Sequence, residues 1–339
     1  MKLKFVCTAL WGLAACLAAA PCLAQDNDWA AKMFDKSSHD FGVVAKGADA
    51  RYRLTITNKY VQTVHIESVT TSCGCTAAKP SKDTLASRES AYVEIVMNTV
   101  RFDHDKNSSV IVRFDAPLAA EVRIPIHAYI RTDVVLTPGS AEFGAVSQGV
   151  EQERKITISY AGRDNWSIRD VINKNKDLDV KLHEVGRGAG RVNYELSVLL
   201  KPNAPVGALR GQLTLVTDDA NSPQIPVLVE GKIEPEFTVT PEVVSFNILT
   251  PGEKRTVNVV VRGKKPFMIE KIESEKTSGA FEVRLPQSPK AIHVLPLTLI
   301  APTEPGPVEE EFTLTIVGRP DPIHFKAYGK VQAQAQAAK

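Results

Sequence analysis

Arg51-Tyr52-Arg53-Leu54-Thr55-Ile56-Thr57 places Tyr52, Leu54 and Ile56 on one face and polar groups on the other. A period of two is the signature of a strand buried on one side. The same alternation returns at 91–97, 121–130, 155–159, 210–217, 257–261 and 312–317, with Pro, Gly, Asn and Asp filling the gaps. Asp218-Asp219-Ala220-Asn221-Ser222-Pro223 is one such gap. Long amphipathic helix patterns are missing, so the strands read as sandwiches or barrels.

Working outward, the strand belongs to a repeat. Phe41-Gly42 recurs as Phe143-Gly144 and Phe246-Asn247, at offsets of 102 and 103 residues. Leu54 and Ile56 recur in register as Ile156 and Ile158, then as Val259 and Val261. Val64-His65-Ile66-Glu67-Ser68-Val69 matches the runs starting at Trp166 and Phe267. The closing strands end in His127-Ala128-Tyr129-Ile130, Glu230-Gly231-Lys232-Ile233 and Tyr328-Gly329-Lys330-Val331. A repeat holding strand register over that length means tandem copies of one fold, and its length suits a self-sufficient sandwich. The expected fold is all-β: three tandem immunoglobulin-like antiparallel β-sandwich domains at 25–131, 132–234 and 235–331. Phe41, Phe143 and Phe246 are expected at equivalent core positions. Linkers are nearly absent, which predicts a semi-rigid rod, and a Gln/Ala-rich tail at 332–339 is expected to fray.

Residues 1–24 precede the repeat and read as a signal peptide. Lys2 and Lys4 start it, a charge-free apolar run follows, Pro21 breaks it, and Ala24 offers a cleavage site ahead of Gln25. Export to the periplasm or beyond is the implication. The alternative processing is lipidation at Cys16, at the end of Leu13-Ala14-Ala15-Cys16, which would tether the protein to a membrane. The 41 basic and 39 acidic residues are interspersed and leave a net charge of +2. That balance lacks the one-sided basic footprint of a nucleic-acid binder. No later apolar run is long enough to span a membrane.

The first copy resembles a bacterial family known as domain of unknown function 1573. The matching residues are His39-Asp40-Phe41-Gly42-Val43-Val44, Gly47, Leu54-Thr55-Ile56-Thr57-Asn58 and the hallmark Ser72-Cys73-Gly74-Cys75-Thr76. The resemblance implies an immunoglobulin-like fold shared with Hydin-type and major sperm protein domains, and no established activity. At Ser87-Arg88-Glu89 the chain departs from the Pro-Gly usual in the family, which bears on the turn there.

Catalytic constellations are missing: no Gly-x-Ser-x-Gly elbow, no His-Glu-x-x-His, no phosphate loop, no Rossmann fingerprint. Gly186-Arg187-Gly188-Ala189-Gly190-Arg191 reads as a hairpin loop between strands. Asp103-His104-Asp105-Lys106-Asn107 begins like a calcium loop, but Ser108 stands at the sixth position and Phe114 at the twelfth. A solvated loop is the better reading. The seven histidines show no close metal-ligand spacing.

Cys73 and Cys75 are the only cysteines beyond residue 24. Three readings stand side by side. Two thiolates can clasp Cu(I), with His65 as a further ligand and Lys79 or Lys82 favouring ionisation. The pair can form a disulfide in an oxidising compartment. Or both can be small buried groups marking a sharp turn around Gly74. The two sulfurs are expected close together, with Gly74 adopting the left-handed dihedrals that bring them within reach. The motif is expected at a strand-to-loop junction, with one sulfur or both open to solvent. The leading functional expectation is an exported, non-enzymatic structural or binding protein offering its domains to a protein or cell-envelope polymer. The other is a periplasmic copper-binding or thiol-redox protein acting through Cys73 and Cys75.

Overall fold

The computed structural model describes residues 28–220, 222–275, 279–319 and 322–332. The leader at 1–24, the start at Gln25, the Cys16 alternative and the tail from 333 lie outside the described residues. The chain divides into two compact units, residues 1–132 and 133–339. The second division expected, near 234, lies inside the second unit.

The first unit opens with a helical turn, α1 (Asp28–Ala31), followed by β1 (His39–Lys46), β2 (Ala50–Thr57), β3 (Val64–Thr71) and β4 (Thr76–Pro80). Then come β5 (Thr84–Leu85), β6 (Ser90–Met97), β7 (His104–Ala116) and β8 (Ala120–Thr137). One sheet runs β2-β6-β4 and the facing one β8-β7-β3-β5, with β1 beside β8. Alternation in sequence becomes alternation in burial: Leu54, Ile56, Val93 and Ile95 are fully buried between the sheets. Each contributes on the order of 2 kcal/mol by leaving water. Trp29 from α1 meets Phe114 edge-on, with ring centroids 5.7 Å apart, and closes that core. The segment read as a solvated loop at 103–107 is instead, from His104 onward, the start of β7.

The second unit takes residues 134–137 of β8, which pair with β10, and then β9 (Ser140–Ser147), β10 (Gln152–Ala161), β11 (Ile168–Asn173) and β12 (Leu178–Gly188). Next are β13 (Arg191–Leu200), β14 (Gly207–Thr217), β15 (Gln224–Glu234), β16 (Phe237–Thr240), β17 (Val243–Leu249) and β18 (Lys254–Phe267). The last are β19 (Ile269–Ser274), β20 (Phe281–Val283), β21 (Lys290–Ile300), β22 (Gly306–Ile316) and β23 (Ile323–Val331). Sheet β11-β14-β15-β9 stands with β10, β13 and β12 in the second copy; β16-β18-β21-β20 and β17-β23-β22-β19 form the third. The Gly-rich run is the tight β12–β13 hairpin, with Ala189 and Gly190 at φ of 53° and 73°. In the second and third copies the sheets are antiparallel except where the Phe-Gly strand joins the closing strand. There β9 runs parallel to β15 and β17 parallel to β23. The opening segment pairs first in one sheet and then, past Pro138 or Pro241, in the other.

The Phe-Gly motif shows why the copies superpose in sequence. The residue after the aromatic is left-handed each time, with φ of 68° at Gly42, 65° at Gly144 and 56° at Asn247. Asparagine is among the few side chains that tolerate this region. The aromatic itself is not equivalent throughout. Phe143 and Phe246 are buried, whereas Phe41 is only partly so, which corrects the expectation of three matching core rings. Phe143 packs against a glycine: a methyl on Gly231 would stand 2.9 Å from Phe143 Cβ. The corresponding residue of the first copy is Ala128, itself fully buried.

Candidate functional site

Ser72-Cys73-Gly74-Cys75 bridges the end of β3 to the start of β4, at the strand-to-loop junction expected. Cys73 and Cys75 are joined as a disulfide with Cα atoms 5.4 Å apart. Cys75 is buried at 3 % exposure, while Cys73 is partly open to solvent. The Cys75 amide donates to Cys73 Sγ at 3.2 Å. Thr76 Oγ1 lies 3.7 Å from Cys75 Sγ and 3.8 Å from Met97 Sδ, to which it can donate.

The turn is held by more than the sulfurs. Thr71 Oγ1 donates to the carbonyl of Thr76 at 2.9 Å, and the Asn98 amide donates to the carbonyl of Cys75 at 2.8 Å. The Ser109 amide donates to Ser72 Oγ at 2.8 Å, and the Ser72 amide to the Ser109 carbonyl at 3.0 Å. Gly74 is not left-handed, and a Cβ there would meet nothing within 4 Å. The sulfurs therefore converge without the glycine conformation anticipated for them.

The expected helpers of a copper site are elsewhere. His65 Nδ1 is bonded to Asp115 Oδ1 at 2.6 Å. It is the second residue of β3, and the strand from His65 to Thr71 rises about 20 Å. Lys82 is paired with Glu89, and Lys79 stands opposite Glu94 in the β4–β6 register. A Cu(I) clasp would further require both sulfurs as thiolates. Among the described residues, no group of three or more His, Cys, Asp or Glu is placed to hold a metal ion.

A second polar cluster was invisible in sequence. His127 on β8 bonds Asp40 through Nδ1 at 2.8 Å and Asp105 through Nε2 at 2.7 Å. The Asp105 bond, then the Asp40 bond, hold its imidazolium pKa above the ordinary 6.5. For Asp40 burial pushes upward, but the bonds from the Gly42 amide and His127 outweigh it and lower the carboxyl. Neighbouring His39 stacks on Tyr52 with centroids 3.7 Å apart. Burial first, then the Lys36 cation, lowers its pKa to about 4. Asp103, the first residue of the run that only begins like a calcium loop, is paired with Lys46. These partners come from strands tens of residues apart, so no local pattern announces them.

Asn58 is another residue whose role emerges only in three dimensions. Fully buried, it donates through Nδ2 to the carbonyls of Gln62, Leu85 and Ala86 and accepts from the Tyr60 amide. Its own carbonyl accepts from the Arg88 amide at 3.0 Å. Arg88 holds φ of 64°. The turn where Pro-Gly was missing thus keeps a glycine-like conformation with an arginine in it, supported by Asn58.

Residues 33–130, within the first copy, match the family model described as "Protein of unknown function (DUF1573)". No curated protein matches the sequence. Among solved structures, a protein of unknown function from Porphyromonas gingivalis is 11 % identical over 59 % of this chain and 98 % of its own, with a TM-score of 0.27. A three-immunoglobulin-domain fragment of titin is 9 % identical over 89 % of this chain and 98 % of its own, at 0.23. The Dpr2 Ig1–Ig2 structure in complex with DIP-Theta Ig1–Ig3 is 9 % identical over 89 % and 99 %, at 0.20. Scores this low carry no argument, and the sandwich assignment rests on the sheets themselves.

Proposed function

We propose that this chain is an exported, non-enzymatic binding protein whose immunoglobulin-like domains are held out to a macromolecular partner in the cell envelope. The observation that carries this reading is what the copies keep. Core positions recur, as Leu54, Ile156 and Val259 do, all fully buried. Surface positions diverge: His127 is replaced by Glu230 and then Tyr328, and the Cys73 position carries Asn175 in the second copy. A scaffold retained beneath a changing surface fits presentation to a partner better than one chemistry performed three times. The Cys73–Cys75 disulfide supports export, since such bonds persist in oxidising compartments.

The test is photo-crosslinking in living cells from an exposed position in each copy, Lys79, Val150 and Val294. Discrete adducts are expected from one or more of them, on a protein whose mass begins at Gln25. Absence of a discrete adduct at all three positions overturns the binding reading. A protein retaining residues 1–24, or lipidated at Cys16, overturns release in free form.

A further inference from the structure

We propose that Cys73-Gly74-Cys75 is a dithiol–disulfide exchange site, which takes electrons from a partner dithiol with Cys73 as the sulfur attacked. The inference stands independently of the binding reading above. It rests on three features: unequal access to the two sulfurs, a hydrogen-bond donor beside each of them, and a turn that stays closed without the covalent bond.

Access decides the direction. Thiol exchange proceeds by in-line attack of a thiolate on one sulfur while the other leaves. Cys73 is partly exposed and Cys75 is buried at 3 %, so an incoming thiolate reaches Cys73 Sγ and Cys75 departs. The S–S bond breaks, a mixed disulfide forms at Cys73, and the electron pair stays on Cys75 Sγ. The Thr76 hydroxyl is 3.7 Å away and has one proton to give. It can turn from the Met97 thioether to the far better acceptor, a thiolate, which then takes up a proton. The second thiolate of the partner attacks the partner sulfur of the mixed disulfide and releases Cys73. Here the Cys75 amide, which already points at Cys73 Sγ at 3.2 Å, stabilises the departing charge. Two electrons and two protons pass from the partner dithiol to the pair, and the partner is left as a disulfide.

The reduced state remains folded because the turn does not depend on the sulfurs. The bonds from Thr71 to the Thr76 carbonyl and from Asn98 to the Cys75 carbonyl survive reduction. The second copy builds the same turn with no cysteine at all.

The experiment treats the purified, oxidised protein with limiting glutathione, quenches rapidly with an alkylating agent and maps the adducts by mass. Glutathione is expected on Cys73 and the alkyl group on Cys75, outnumbering the reverse by about tenfold or more, as the difference in access requires. Full reduction by dithiothreitol is expected to release two thiols and leave the near-ultraviolet circular dichroism intact. Glutathione on Cys75, an even division, failure of dithiothreitol to release thiols, or unfolding on reduction each overturns the proposal. Thr76→Val should slow glutathione attack severalfold and raise the Cys75 thiol pKa measured in Cys73→Ser. An unchanged pKa removes Thr76 from the site. The wild-type mapping decides the direction of attack even if a variant does not fold.

Discussion

The turn at 71–76 in the first copy and that at 173–178 in the second are the same object built from different chemistry. In the first, Thr71 Oγ1 donates to the carbonyl of Thr76 at 2.9 Å; in the second, Asn173 Nδ2 donates to the carbonyl of Leu178 at 2.9 Å. The Cys75 amide donates to the side chain of residue 73 at 3.2 Å; the Asp177 amide donates to Asn175 Oδ1 at 2.8 Å. The carbonyls of Cys75 and Asp177 accept from the amides of Asn98 and Lys201 at 2.8 and 2.9 Å. Lys176 stands where Gly74 does. Asparagine, lysine and aspartate accomplish in one copy what the other does with two cysteines and a glycine. The covalent bond is therefore an addition to a turn that already closes, which is why a chemical role for it is worth testing.

The widest contrast between the copies lies in the core, where the same motif aromatic is seated differently. Phe143→Ala should destabilise the second copy by about 3–5 kcal/mol, the range for emptying a buried aromatic site. Phe41→Ala should cost the first copy only about 1–2 kcal/mol, since the ring already meets water on one side. Peptide-resolved hydrogen exchange reads each copy separately and avoids treating the chain as one cooperative transition. Equal losses would show that the partial exposure of Phe41 does not lessen its contribution, and would undo that part of the comparison.

The turns themselves come next in size. The double variant Cys73→Ser/Cys75→Ser should cost about 1.5 kcal/mol at most, because the loop closed by the bond is so short. Serine also keeps an acceptor for the amide of residue 75. Asn175→Ala removes the corresponding acceptor and should cost the second copy about 1 kcal/mol. Similar small losses sharpen the equivalence of the two turns. If the cysteine variant loses exchange protection throughout β3, β4 and β6 while Asn175→Ala does not, the disulfide is structural and the equivalence breaks.

These contrasts also mark how far the sequence could be read. Strand positions, the repeat and its register were legible because alternation and fixed offsets survive without knowledge of tertiary contacts. Leu54, Ile156 and Val259 are buried as their period requires. The partial burial of Phe41 was not legible, because it is set by packing between strands far apart in the sequence. At the candidate site, the cysteines and their strand-to-loop setting were visible, whereas Thr76 and Met97 gain meaning only from the β4–β6 register that sets them side by side. His65 was a plausible ligand on proximity in sequence, yet an extended strand carries residues apart instead of gathering them.

The smallest expected effect separates the copies by pH. In the first copy, His127 lies between Asp40 and Asp105, and its folded pKa is raised above 6.5 chiefly by the Asp105 bond and then the Asp40 bond. Such a group stabilises fully below pH 6.5 and loses its contribution as the pH climbs through the raised value. His65, raised by its bond to Asp115, acts in the same direction. His39 acts oppositely: with a folded pKa of about 4, its stabilising effect is present above 6.5 and is lost as the pH falls from there towards 4. The Asp40 carboxyl is held below 3.8, so its loss is confined to more acid conditions. The first copy should therefore show a shallow stability maximum near pH 6.5, shallow because these groups are partly solvated and screened. The second copy carries Glu230 at the His127 position, paired with Arg210 at 3.3 Å, so no histidine stands there. Its exchange protection, corrected for the intrinsic pH dependence of exchange, should stay level between about pH 5 and 8. His127→Gln keeps a polar side chain but removes the charge, so the decline above pH 6.5 should shrink to the share of His65. A decline that persists unchanged in His127→Gln/His65→Gln would place the pH dependence outside both histidine–aspartate pairs.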